Sequence, residues 1–266
     1  MTALIRFSHI SKSFDGGRLK AVDDVSLDVA EGEFLAVVGG SGSGKTTLMR
    51  LVNRLITPDG GSIEVAGEDN AQIDAIELRR RIGYVVQNGG LFPHMTIADN
   101  IGITPKLLGT PAREIATRVD ELLDLVRLER GQYRDRFPHE LSGGQRQRVG
   151  VARALAAKPR IVLMDEPFGA LDPLTRDALG DDYHALHRKL GLTTIMITHD
   201  MTEAILLADR VAVMRTGRLL AEGTPRELSA STEPYVGELL GTPRRQAERL
   251  KMLLPPDGAA TQGGPA

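Results

Sequence analysis

The stretch Gly39-Gly40-Ser41-Gly42-Ser43-Gly44-Lys45-Thr46 constrains this chain more than any other feature, because it sits between an unbroken apolar run at Phe34–Val38 and a helix expected over Thr46 to Leu55. Glycines at both ends of such a loop let successive backbone N–H groups turn inward at angles that side chains resist. The helix that follows adds positive potential at its start. The result is a phosphate cradle. In it Gly39, Gly40, Ser41, Gly42, Ser43 and Gly44 supply backbone, and Lys45 is expected to hold the β- and γ-phosphates of a nucleotide. Thr46 is expected to ligate Mg²⁺ and Thr47 to lie near the α-phosphate. A flexible Gly/Ser loop that happens to precede Lys-Thr is the competing reading, and the strand and helix on either side argue against it.

Further along, Ile161-Val162-Leu163-Met164-Asp165-Glu166 reads as a buried strand ending in two carboxylates. Neighbouring residues on a strand point to opposite sides, so the two acids are expected to do different work. Asp165 suits the organisation of Mg²⁺ through water, and Glu166 suits orienting or deprotonating an attacking water. An exposed acidic turn closed by Pro167 explains the acids alone, but not their place downstream of the cradle. Between these features, Leu141-Ser142-Gly143-Gly144-Gln145 opens a helix running through Arg146, Arg148 and Arg153. Ser142 and the glycine N–H groups form a second positive helix start able to bind phosphate.

The intervening pattern gives the organisation. Apolar alternation at Ile5, Phe7 and Ile10, then at Val22, Val25, Leu27 and Val29, predicts short antiparallel strands about the turn Asp15-Gly16-Gly17. From about 91 to 158 the period becomes helical, with Ile115, Val119, Leu122, Leu123 and Val126 on one face and Thr110-Pro111 as a helix start. Buried strands are expected again at 161–164 and 194–197, with a helix from 173 to 190 between them. The composition of Pro255 to Ala266 predicts a disordered tail.

Composition narrows the function classes. With 33 Lys and Arg against 35 Asp and Glu, nothing in the overall charge calls for nucleic acid. Cysteine is absent, so disulfides and thiolate metal sites are excluded. No run approaches the ~18 apolar residues of a membrane-spanning helix, and the first residues lack the basic-then-apolar pattern of a signal peptide. Any membrane role is expected to come through a partner.

With these motifs in this order, the chain resembles the ABC ATPase family, whose signature pentapeptide is Leu141-Ser142-Gly143-Gly144-Gln145. The resemblance implies an α/β fold: a P-loop NTPase cassette with a RecA-like core, an antiparallel β subdomain and an inserted α-helical subdomain. Residues 1–240 would form this ATPase domain, with about 91–158 as the insertion and 241–266 as a C-terminal extension. It also assigns single residues. Phe14 matches the aromatic that stacks on adenine, although an early-strand Phe also fits a core. Gln87, after Ile82-Gly83-Tyr84-Val85-Val86, matches the glutamine that senses Mg²⁺ and the attacking water. Asp172 matches the loop at the dimer interface, where a helix N-cap before Pro173 is the structural alternative. His199 matches the switch histidine at the γ-phosphate. His9, His94, His139, His184 and His187 receive no catalytic role.

Such cassettes act as dimers that sandwich ATP and Mg²⁺, each phosphate loop facing the other chain's signature. The stretches Leu91-Phe92-Pro93-His94-Met95-Thr96 and Met164-Asp165-Glu166-Pro167-Phe168-Gly169-Ala170-Leu171-Asp172-Pro173 look like the ATPase subunits of importers of glycine betaine, carnitine and choline. That resemblance implies a homodimer on the cytoplasmic face of the membrane, with permease subunits as direct partners and an extracytoplasmic solute-binding protein as an indirect one. Leu91 and Phe92 are candidate permease contacts, or else lobe core. Two departures stand out: Asn88-Gly89-Gly90 replaces the usual Gln-Ile-Gly, and the chain stops before the paired CBS modules many relatives carry. The alternatives are an exporter cassette, or a soluble ABC ATPase acting on nucleic acid or ribosomes.

Overall fold

A computed structural model describes residues 3–87 and 89–253; the expected tail from Pro255 and the Asn88 departure lie outside the described residues. Strands β1 (Ala3–Phe14) and β2 (Leu19–Ala30) pair antiparallel about the Asp15–Gly17 turn. Strand β3 (Phe34–Val38) runs into the phosphate loop and helix α1 (Lys45–Val52). Strands β4 (Gly60–Val65) and β5 (Glu68–Asp69) then complete an antiparallel sheet in the order β2-β1-β4-β5. Helix α1 stops short of Leu55 because Arg54 adopts a left-handed φ of 50°, which ends the helical ladder.

After α2 (Ala75–Arg81) and β6 (Ile82–Val85) comes the helical lobe of α3 (Ile97–Leu107), α4 (Ala112–Leu125), α5 (Arg130–Tyr133) and α6 (Gly143–Leu155). Helix α4 buries Val119, Leu122 and Leu123, three of the residues that share a face by period. The chain then returns through β7 (Ile161–Asp165), α7 (Pro173–Leu190), β8 (Thr193–Thr198), α8 (Met201–Leu207), β9 (Arg210–Arg215), β10 (Arg218–Gly223), α9 (Pro225–Ser229) and α10 (Pro234–Leu253). Helix α7 has the bounds its ends dictate. Asp172 accepts from the Thr175 N–H and Pro173 opens the first turn, while Gly191 closes the helix at φ 60°.

The second sheet has the order β10-β9-β3-β8-β7-β6, with β3, β6, β7, β8 and β9 parallel and β10 antiparallel at the edge. Its inner strands β3, β7 and β8 are buried on both sides, so successive residues enter opposite cores. Leu35, Val37, Leu163 and Ile197 pack with α1 and the antiparallel sheet. Phe34, Ala36, Val162 and Met164 pack with the lobe and the α7, α8 and α10 side. The carboxyl ends of β3, β6, β7 and β8 thereby open along one rim of the sheet, the place where α/β sheets put their ligands. Among the described residues, no helix is long and apolar enough to cross a membrane.

Truncating Leu163 to Ala, at a fully buried position on β7, is expected to cost about 2–5 kcal/mol. Leu174→Ala, at a site 83% exposed, should stay within about 0.5 kcal/mol of the parent. Urea unfolding of both variants compares the two values directly.

Candidate functional site

The phosphate loop is pinned from outside by backbone. A Cβ at Gly39 would collide with the Met214 carbonyl oxygen and one at Gly44 with that of Ala21, so at both places only hydrogen fits. Gly44 lies at φ 99°, a conformation that L side chains avoid. Ser43 is buried and its carbonyl accepts from the Gly217 N–H at 3.1 Å. The Gly40 N–H donates to the Tyr235 hydroxyl at 2.9 Å, while Ser41 and Gly42 are exposed.

Inside the loop, Lys45 is buried, and its Nζ donates to the carbonyls of Gly39 at 2.8 Å and Gly40 at 3.0 Å, with Ser43 Oγ at 3.4 Å. Burial pushes this ammonium below the usual lysine range, against the pull of Glu166 and Asp165. No salt bridge satisfies it among the described residues. The start of α1, capped by Gly44, has no side-chain hydrogen bond to its first N–H groups. A buried cation beside open helix N–H groups fits a polyphosphate.

Thr46 Oγ1 donates to Asp165 Oδ1 at 3.3 Å, which places the two expected Mg²⁺ ligands together. Two hard oxygen donors suit a cation that keeps water and takes substrate oxygens for the rest of its shell. Among the described residues, no three His, Cys, Asp or Glu side chains converge into a complete cage. Burial holds the Asp165 carboxyl above the usual carboxylate range, with the Thr46 hydrogen bond, Arg50 and Lys45 opposing.

Glu166 is the second hub. Gln87 Nε2 donates to its Oε2 at 2.9 Å and His199 Nδ1 lies 3.3 Å from its Oε1. The two acids do diverge, but strand alternation is not the cause. Strand β7 ends at Asp165, and Glu166 turns away at φ 48°, a left-handed strain worth about 1–3 kcal/mol. That strain is held by the Glu166 N–H bonded to the Ile197 carbonyl at 3.0 Å.

The remaining residues stand apart from this cluster. Phe14, 39% exposed, ends β1 with Lys12 Nζ 5.7 Å from its ring centre. Thr47 is half-buried on α1. Ser142 and Gln145 form a reciprocal capping box at the start of α6, with Leu141 buried behind it. Ser142 and Gly143 are exposed, and Gly144 packs against Leu171. Asp172 caps α7 within the chain. Leu91 packs on the lobe core, whereas Phe92 is exposed with Arg153 5.8 Å from its ring centre. Tyr235 was not among the expected site residues, since it touches the loop from a helix that no motif marks.

A phosphate loop with a buried lysine, an acidic strand end and an adjoining Gln–Glu–His cluster define a P-loop nucleotide-binding domain. The profile of the ABC transporter family matches residues 22–169, more than half of the chain, and the chain belongs to that family. Over 242 residues it is 50% identical to the glycine betaine/carnitine/choline transport ATP-binding protein of Bacillus subtilis (strain 168), covering 91% of this chain and 63% of that protein. Over 231 residues it is 49% identical to the glycine betaine uptake system ATP-binding protein of Escherichia coli (strain K12), covering 87% and 73%. The fold is that of the ATP-binding cassette. A dimeric cassette in a post-hydrolysis state bound to ADP and Pi superposes with a TM-score of 0.76 at 30% identity, covering 83% of this chain and 98% of that one.

The Asp165 environment sets a pH test. With its pKa raised by burial, the folded chain binds this proton more tightly than the unfolded chain does. The stabilisation is complete below the unfolded value of about 3.9 and is lost as pH rises through the folded value. Asp165→Asn is therefore expected to melt higher than the parent at neutral pH without ligand, the gap narrowing toward about pH 4. Thermal melts across that range supply the check.

Proposed function

We propose that this chain is the ATP-hydrolysing subunit of an ABC importer that energises uptake of a small quaternary-ammonium osmoprotectant through a partner permease. The observation that carries the reading is the assembly of Gln87, Glu166 and His199 beside the Lys45–Thr46–Asp165 cradle on one rim of the sheet. The substrate class rests on relatives near 50% identity named for glycine betaine, carnitine and choline transport, and the chain spans 63% of the first of them.

Lys45 holds the terminal phosphates of ATP while its ammonium stays seated on the Gly39 and Gly40 carbonyls, and the charged oxygens accept its stronger hydrogen bond. Thr46, Asp165 and Gln87 would hold Mg²⁺, which when bound would offset charge developing on the transferred phosphoryl group. Glu166 orients and deprotonates the attacking water. Its side chain is partly open to solvent, and Gln87 and His199 fix its two oxygens while leaving lone pairs free. His199 adds a contact for the γ-phosphate, and Phe14 offers an exposed ring for adenine.

Ser142 and Gly143 are exposed, and Ser142 is hydrogen-bonded only within its own helix start, which suits a partner's nucleotide better than their own. We take the working unit as a homodimer on the cytoplasmic membrane face. Exposed Phe92 and its neighbours are offered to the permease, and a solute-binding protein delivers cargo on the far side.

Glu166→Gln is expected to lower turnover by about 10²–10⁴-fold while leaving the ATP dissociation constant unchanged and trapping a dimer on gel filtration. Lys45→Ala should instead weaken equilibrium nucleotide binding. Near-normal turnover in the first variant removes Glu166 from its role. Reconstitution with the neighbouring permease in liposomes tests the importer reading, which fails if ATP is hydrolysed without uptake of glycine betaine, carnitine or choline.

A further inference from the structure

Tyr235 lies in the first turn of α10, a helix fixed to the large core by the buried side chains of Val236 and Leu240. Its hydroxyl accepts the Gly40 N–H at 2.9 Å. The peptide group that carries this N–H also carries the Gly39 carbonyl, and that oxygen accepts from Lys45 Nζ at 2.8 Å. Tyr235 and Lys45 therefore hold opposite ends of one rigid plane. Hydrogen bonds at the two ends of an amide polarise it in the same sense, so each strengthens the other. The Arg215 guanidinium stands 4.6 Å from the Tyr235 ring centre and fixes the ring without touching the loop's hydrogen bonds.

We propose that Tyr235 is a positioning residue for Lys45, and that α10 thereby sets nucleotide affinity through the Gly39–Gly40 peptide. The inference rests on Lys45 binding nucleotide phosphate, as proposed above. Lys45 is held on this peptide and on the Gly40 carbonyl, so a tilt of the plane redirects its ammonium. The outward N–H of that plane is fixed by a side chain 195 residues away in sequence, from an element that belongs to neither the phosphate loop nor the strands beside it. A shift of α10 that withdraws the phenol frees the plane, and with it the lysine.

Tyr235→Phe keeps the ring, its packing and the Arg215 contact, and deletes only the acceptor. In the ligand-free protein, exchange of the Gly40 amide hydrogen should accelerate about tenfold, the loss of one net hydrogen bond. ATP and ADP dissociation constants should rise about three- to tenfold. The decisive measurement repeats the substitution in a Lys45→Ala background, where it should leave nucleotide affinity unchanged because no lysine remains to be positioned. Equal losses in both backgrounds mark a merely structural tyrosine and overturn the proposal, as does parent-like affinity in Tyr235→Phe alone. Unchanged Gly40 exchange overturns the link whatever the chain binds. A parent protein that binds no ATP overturns the nucleotide reading itself, an outcome separable from the exchange result.

Discussion

Between β3 and α1 the backbone passes so close to the carbonyl oxygens of Met214 and Ala21 that Gly39 and Gly44 leave room for hydrogen alone. That contact registers the loop to two elements, β9 and β2, belonging to different sheets. With the loop so fixed, the Gly39 and Gly40 carbonyls converge on Lys45, and α1 begins where its first N–H groups face the rim. A side chain at either glycine would displace the backbone from both neighbours, and the lysine would lose its perch before any ligand arrived.

The charges around this loop are each held short of full satisfaction. Lys45 is buried with no ion pair among the described residues, and its pKa falls despite two nearby carboxylates. Asp165 is buried as well, and its pKa rises despite Thr46, Arg50 and Lys45. Desolvation outweighs attraction for both groups, so each would gain from a counter-charge placed in the cradle. A polyanion accompanied by a divalent cation, the pair the proposed function requires, would supply one of each sign.

What could be read in advance was local. The cradle, the strand ends and helix α7 follow from residues adjacent in sequence, since a strand's alternation, an Asp-Pro start and a Gly stop act within a turn of where they stand. What could not be read depended on backbone conformation or distant partners. Nothing in Asp165-Glu166 announces that Glu166 adopts a left-handed φ, which is what turns it toward Gln87 and His199. The early end of α1 has the same origin at Arg54. Tyr235 escaped notice because its partner is a backbone N–H, and a main-chain group has no residue identity to recognise.

The exposed signature is tied mechanically to the catalytic strand of its own chain. A Cβ at Gly144 would press on Leu171, the residue before Asp172, so the start of α6 rides on the loop that leaves β7. Farther along α6, Arg153 donates to the carbonyls of Gly89 at 2.9 Å and Gly90 at 2.8 Å, a Cβ at Gly89 would collide with the Arg146 carbonyl oxygen, and one at Gly150 would crowd Gly89. Gln87 precedes that clamp and returns to Glu166 at 2.9 Å. The chain thus closes a ring of contacts from β7 through Leu171, α6 and the Gly89–Gly90 segment to Gln87 and back to Glu166. A displacement of α6 would be passed through these contacts to Gln87 and to the loop after Glu166. A ligand held at Ser142 and Gly143, as the proposed function has it, would therefore be linked through these contacts to Glu166, the carboxylate proposed to activate water.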